Sequence, residues 1–193
     1  MRVVDETMYE KVERVWRYVP LMKGLEEIRF EPNAYRDVID MVTHRGHGKA
    51  RLFFVGNGGS AAVASHMAID WMKNGGFATF GPGDAAQLSC IGNDLGFHNI
   101  YSLPIERHGQ LGDVLFAISS SGMSEDILDA VSTARRKMMN VVTLSGFGEG
   151  NFLRNKGQVN FYVPSSQYGV VEIAHLAILH SILDEVMEAE KQT

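Results

Sequence analysis

"VGNGGSAAVASHMAID", residues 55–70, decides how the rest of the chain is read. A glycine cluster follows the apolar run "RLFFV" (51–55), and a stretch of helical length, Ser60–Lys73, follows the glycines. That order puts a tight turn at the end of a strand and a helix N-terminus directly above it. Gly56, Gly58 and Ala61 formally satisfy G-x-G-x-x-A, the fingerprint of a dinucleotide-binding turn. The same physics serves any phosphate: glycines allow close backbone approach, and free N–H groups with the helix dipole favour an anion. A dinucleotide site also needs an acid closing the second strand to hold the ribose. "FATFGPG" (77–83) has none, and Asp84 lies beyond a Gly-Pro-Gly turn, which disfavours NAD. A plain tight turn with Ser60 as helix N-cap accounts for some of the glycines but does not require Asn57 among them.

Outward from this stretch, short apolar runs recur at "FATF" (77–80), "DVLFAIS" (113–119), "NVVTLS" (140–145) and "VNFYVP" (159–164). They lack apolar–polar alternation, as strands buried on both faces do, and stretches of helical length such as Ser124–Met139 separate them. A closing helix is expected from about Val170 to Glu190. Before residue 49 the pattern is helical: Val12, Val15, Trp16, Val19 and Met22 recur at helical spacing, with Pro20 as a break. A further helix from near Pro32 carries Tyr35, Val38, Ile39 and Val42. The expectation is one α/β domain over 1–193, with a helical segment at 1–48. Its core at 49–193 is a doubly wound, five-stranded parallel sheet flanked by helices.

Such sheets bind ligands at the carboxyl ends of their strands. There, after the third strand, "ISSSGMSED" places Ser119, Ser120, Ser121 and Ser124 at the start of a helix. Converging hydroxyls and backbone donors at a helix N-terminus can hold a phosphate dianion without a cationic side chain. Capping explains part of this: Ser124 suits an N-cap, and Glu125 and Asp126 suit the dipole. Four serines exceed what one cap needs.

His66 and Asp70 stand four residues apart, on one face of the helix after the glycine turn. Glu172 and His180 lie eight apart on the closing helix, close to one face across two turns, with His175 between them. Two imidazoles and two carboxylates could serve one divalent metal, zinc or another first-row ion. Each pair alone is commonly a solvated helix-face contact, and His175 is expected to be structural or part of an oligomer contact.

Composition bounds the function. Lys+Arg 18 against Asp+Glu 23 gives a net charge of −5, which argues against direct nucleic-acid binding. No apolar run approaches the length that spans a bilayer, and "MRVVDETMYEKVERVW" lacks a signal-peptide core, so a cytoplasmic protein without a membrane partner is expected. Cys90 is the single cysteine, which excludes a disulfide framework, and its apolar neighbours suggest an inert core position.

With these residues assembled, the chain resembles the sugar isomerase (SIS) domain family, and within it the phosphoheptose isomerases. The matching segments are "GNGGSAA…SHMAID", "LSCIGNDLGF", "GDVLFAISSSGMS" and "VEIAHLAILH", in order across about residues 50–185. The resemblance implies interconversion of sedoheptulose 7-phosphate and a heptose 7-phosphate through a metal-assisted enediol. It implies sugar-phosphate contacts from Asn57, Gly58, Gly59, Ser60, Asn93 and Asp94, and phosphate contacts from Ser119, Ser120, Ser121 and Ser124. It further implies a metal site of His66, Asp70, Glu172 and His180, with Asp70 and His180 exchanging protons with substrate, and a homotetramer. Two positions depart from the family pattern, which has glutamate at 70 and glutamine at 172. The first shortens a catalytic carboxylate by one methylene, and a displacement of about 1 Å can cost about a hundredfold in rate. The second adds a negative charge; the two changes could compensate, with Glu172 taking over as base or metal ligand, or could equally mark a different substrate or a lost activity. Residues 71–87 also look shorter than the family's segment and lack its usual arginine. Two other readings stand beside the isomerase: a non-catalytic SIS adaptor or sugar-phosphate sensor, as in relatives that associate with replication initiators, and an isomerase of another sugar phosphate.

Overall fold

The computed structural model describes residues 33–43 and 50–191. The expected helix through Val12–Met22 and its break at Pro20 lie outside them. The order is α1 (Ala34–Thr43), β1 (Leu52–Gly56), α2 (Gly59–Lys73), β2 (Thr79–Phe80), α3 (Ala85–Leu95), α4 (Asn99–His108), β3 (Val114–Ser119), α5 (Glu125–Arg136), β4 (Asn140–Ser145), β5 (Val159–Tyr162) and α6 (Tyr168–Lys191).

The strands form one parallel sheet in the order β2-β1-β3-β4-β5. Every residue of β1 and β3 is buried, as their unbroken apolar sequences require, whereas the edge strand β5 alternates buried and half-buried positions. One face carries α1, α2 and α6 over Leu52, Phe54 and Phe116. Phe54 and Phe116 stack there at 4.8 Å, and Trp71 of α2 closes over them with no exposed surface. The other face packs α4 and α5 over Phe53, Val55, Leu115 and Ala117.

Two local readings are corrected. The second strand is only Thr79–Phe80, because Phe77 turns into the core edge-on against Trp71 instead of continuing the strand. Cys90 is exposed, not a core residue: α3 stands off the sheet and buries only Ile91, so apolar flanks did not mean an apolar setting. Among the described residues, no helix is long and apolar enough to cross a membrane.

The order 2-1-3 places the reversal of the sheet between β1 and β3, where a crevice opens at the carboxyl ends. Gly56 pairs with Ile118 at that end, so the turns leaving β1 and β3 emerge side by side.

Candidate active site

Both turns close around one cavity of about 250 Å³. Its lining is Asn57, Gly58, Gly59 and Ser60 from the first turn, Ser119, Ser120, Ser121 and Ser124 from the second, and Tyr168 and Glu172 from α6. Gly58 has φ 55°, a left-handed conformation that favours glycine, and a side chain there would project into open space. A Cβ on Gly59 would collide with the Glu172 carboxylate. The backbone at this turn therefore stays bare where a ligand could approach. Gly122, at φ 63°, shapes the second turn, which Asn151 backs so closely that no side chain fits.

Donors at this cavity are left unspent. α2 begins at Gly58 with no side-chain cap, and Ser60 sits inside the helix, buried, so the sequence-based N-cap moves two residues upstream. Ser124 does occupy the N-cap of α5, yet its hydroxyl makes no capping bond. The Ser120 hydroxyl is buried without a partner. Ser119 and Ser121 accept from Gly122 and Met123 backbone N–H groups at 3.1 and 3.3 Å, which leaves their own protons available. By contrast α3, away from the cavity, carries a side-chain cap: Asp84 accepts from Gln87 N–H at 2.8 Å. That bond also explains the acid beyond the Gly-Pro-Gly turn. Two uncapped helix N-termini and an orphaned buried hydroxyl converging on one space are suited to hold an anion.

Beneath it lies a network that the sequence reading did not find. The Asn57 Nδ2 donates to both carboxylate oxygens of Asp126, at 3.0 and 2.8 Å. The Tyr101 hydroxyl donates to Gly56 O and lies 3.3 Å from Asn57 Oδ1. Burial pushes the Asp126 carboxyl above its ordinary value, against the hydrogen bond from Asn57. Burial, reinforced by the Asp126 charge, pushes the Tyr101 phenol up to about 12, so it remains a donor at any physiological pH. Nothing in the pattern marked Tyr101 or Tyr168, and Asp126 read as a dipole-favouring acid.

A second cluster sits farther along α2. His66 Nε2 lies 3.2 Å from His180 Nε2, and Asp70 Oδ2 lies 3.4 Å from His66 Nε2 and 3.9 Å from His180 Nδ1. One ligand atom from each falls within 4.8 Å of the others. Two imidazole nitrogens facing one another beside a carboxylate are a fitting donor set for a divalent first-row cation. Glu172 is not among them. Eight residues at 1.5 Å each separate it from His180 by about 12 Å along α6, with about 80° of rotation. Within one chain its carboxylate reaches the anion cavity instead. Asn93 and Asp94 are also absent from the cavity lining; both are exposed on α3, with Asn93 Nδ2 donating to Asp94 Oδ1 at 2.8 Å. His175 is fully buried between these sites. Its Nε2 lies 3.2 Å from Ser145 O, Nδ1 has no partner, and burial pushes the imidazole down to about 4. It is a core residue of α6.

A SIS domain model matches residues 25–146, more than half the chain. The chain belongs to the SIS domain family. This SIS protein is 34% identical over 149 residues to a phosphoheptose isomerase of Escherichia coli, covering 74% of the chain and 77% of that enzyme. It is 34% identical over 165 residues to one from Rhodospirillum rubrum, covering 81% and 86%. Among solved structures, phosphoheptose isomerase from Neisseria gonorrhoeae superposes with TM-score 0.77 at 29% identity, over 93% of the chain and 98% of that protein. A phosphoheptose isomerase from Francisella tularensis shares the fold, with TM-score 0.75 over 98% and 100%. Both the glycine turn and the His66/Asp70 helix thus sit inside the matched SIS segment, while α6, with Glu172 and His180, follows it.

Proposed function

We propose that the chain is a phosphosugar aldose–ketose isomerase of the phosphoheptose isomerase type, with sedoheptulose 7-phosphate as the first substrate to test. One observation carries the reading. A single helix, α2, has the anion cavity at its N-terminus and the His66/Asp70 pair two turns on, where α6 delivers His180. Seven residues from Gly59 to His66 correspond to about 10 Å. Six carbon–carbon bonds of about 1.5 Å each, followed by a phosphate ester, span a similar length. A phosphate held at the cavity would leave the carbonyl end of a sugar beside the cluster.

In this reading the serines, the Asn57 amide and the backbone N–H groups of both turns bind the phosphate end of the sugar. Asp70 removes the proton next to the carbonyl, and His180 donates to and accepts from the oxygen, so that the proton moves between adjacent carbons through an enediol. Grip on the remote phosphate supplies orientation for this transfer. Within one chain Glu172, beside Gly59, stands at the phosphate end, so it would serve as the alternative base only from another chain. His66, Asp70 and His180 would hold a divalent cation, zinc by donor type, which when bound polarises the substrate carbonyl. Glu172 would join this set only if another chain brought it there, and the proposed assembly is a homotetramer. The proposal further takes the whole chain as one SIS domain acting in the cytoplasm; Asn93 and Asp94, outside the cavity within one chain, would contribute to sugar binding across the assembly.

The test is an assay of five- to seven-carbon ketose phosphates, sedoheptulose 7-phosphate included, with added zinc and in deuterated water. Turnover with solvent deuterium entering the carbon next to the carbonyl is expected, and His180→Gln should abolish it. No turnover of any of these substrates would overturn the assignment.

A further inference from the structure

The network under the glycine turn has a geometry that packing alone does not require. Asn57 comes from the β1–α2 turn, Tyr101 from α4 and Asp126 from the first turn of α5. Asp126 and Tyr101 are 4% and 5% exposed, and neither lines the anion cavity. Asn57, half-buried, lines it. The two buried groups hold opposite ends of its amide: the carboxylate faces Nδ2, and the phenol faces Oδ1.

This matters because the two ends of a carboxamide are nearly alike in shape and opposite in hydrogen bonding. Left to itself, the Asn57 amide could turn over and offer the cavity either set of groups. A carboxylate accepts only, so Asp126 selects the nitrogen. The single Tyr101 proton is donated first to Gly56 O and reaches Asn57 Oδ1 only as a longer second arm at 3.3 Å, a weaker bias toward the oxygen. A buried carboxylate close to a site for a phosphate dianion is electrostatically unfavourable by itself. Its retention there fits a role in fixing the donor above it.

We infer that Asp126 and Tyr101 are positioning residues, which act through Asn57 by locking the direction in which its amide meets the phosphosugar. The inference rests on the assignment of Asn57 to substrate binding. Replacing Asp126 with asparagine preserves size but allows both amides to turn over together, since the new amide can accept from Asn57 Nδ2 or donate to its Oδ1.

The experiment is a double-mutant cycle over Asn57→Ala and Asp126→Asn, which separates action through Asn57 from a general structural role. The readouts are KM and kcat for a phosphosugar that the unaltered enzyme turns over, and the dissociation constant of inorganic phosphate by calorimetry. Asp126→Asn is expected to raise KM about tenfold with a much smaller change in kcat, as loss of ground-state and transition-state binding alike requires. In the Asn57→Ala background the same substitution should change KM less than about twofold. Tyr101→Phe should show the same pattern at about threefold, and it serves as the second arm if Asp126→Asn does not fold. An unchanged KM, or an equal factor with and without Asn57, overturns the inference. If the unaltered protein turns over no phosphosugar, the functional assignment fails separately, and the cycle is then read on phosphate binding. Absence of phosphate binding in the unaltered protein overturns both.

Discussion

Lowering pH should weaken this fold through His175, by an amount that the structure sets. His175 is on α6 between Glu172 and His180, with no exposed surface. Its Nε2 proton points to Ser145 O at 3.2 Å, and Nδ1 has no partner. Protonation would put a charge and an unmatched donor in the core, which is why burial holds the imidazole down to about 4. In the unfolded chain a histidine titrates near 6.5. The unfolded state therefore binds the proton first as pH falls, and stability present above about pH 6.5 is lost progressively towards pH 4. The gap of about 2.5 in pH corresponds at most to about 3 kcal/mol, of which about 2 kcal/mol is lost by pH 5. The measurement is urea unfolding of the native protein and of His175→Gln at pH 7.5 and 5.0, at fixed protein concentration. Glutamine can donate to the same carbonyl and does not titrate, so other histidines cancel in the difference. The native protein should lose about 2 kcal/mol relative to the variant across this interval. A difference constant to within about 0.5 kcal/mol would refute the burial argument.

Three further outcomes follow from the site. Ser124→Ala should cost less than about 0.5 kcal/mol, because its hydroxyl makes no capping bond, whereas Asp84→Ala should cost about 1 kcal/mol; chemical denaturation compares the two. Ser124→Ala should nonetheless raise the phosphosugar KM, and equal stability losses would show that Ser124 is only a cap. Gly59→Ala should fold, because the flexible Glu172 side chain can swing away from the new methyl, but displacing that carboxylate should lower kcat/KM by about a hundredfold. A kcat/KM near the native value would remove Glu172 and the bare turn from the working site. His66→Ala should lose a divalent ion that the native protein retains at about one per chain, read by elemental analysis after dialysis; equal retention would separate metal binding from this cluster.

What the sequence made legible was whatever depends on local chemistry or on neighbours along one helix. Asn140–Ser145 is a strand over the expected residues, because a strand buried on both faces lacks strict apolar–polar alternation, and Val141, Val142 and Leu144 show that here. His66 and Asp70 meet because four residues make one helical turn, and the serines converge with the glycine turn because both leave adjacent parallel strands at the same end. Glu172 shows where that reasoning stops. Eight residues sound like two turns of one face, but they carry the side chain about 12 Å along the axis, to the serine-lined cavity instead of the histidines. Tyr101 and Asp126 were invisible for a different reason: their role exists only because α4 and α5 pack on the same face of the sheet and both reach Asn57. No spacing rule encodes a contact spanning 69 residues between Asn57 and Asp126. Cys90 failed in the converse way, since its apolar neighbours describe a helix that leans away from the sheet and buries Ile91 alone. The division has a functional consequence. Groups that could touch a phosphosugar are written in short motifs, because a helix N-terminus and its turn are local objects. The groups that aim them are distributed across the fold, so an altered substrate preference can arise at Asp126 or Tyr101 with every glycine and serine of the two turns unchanged.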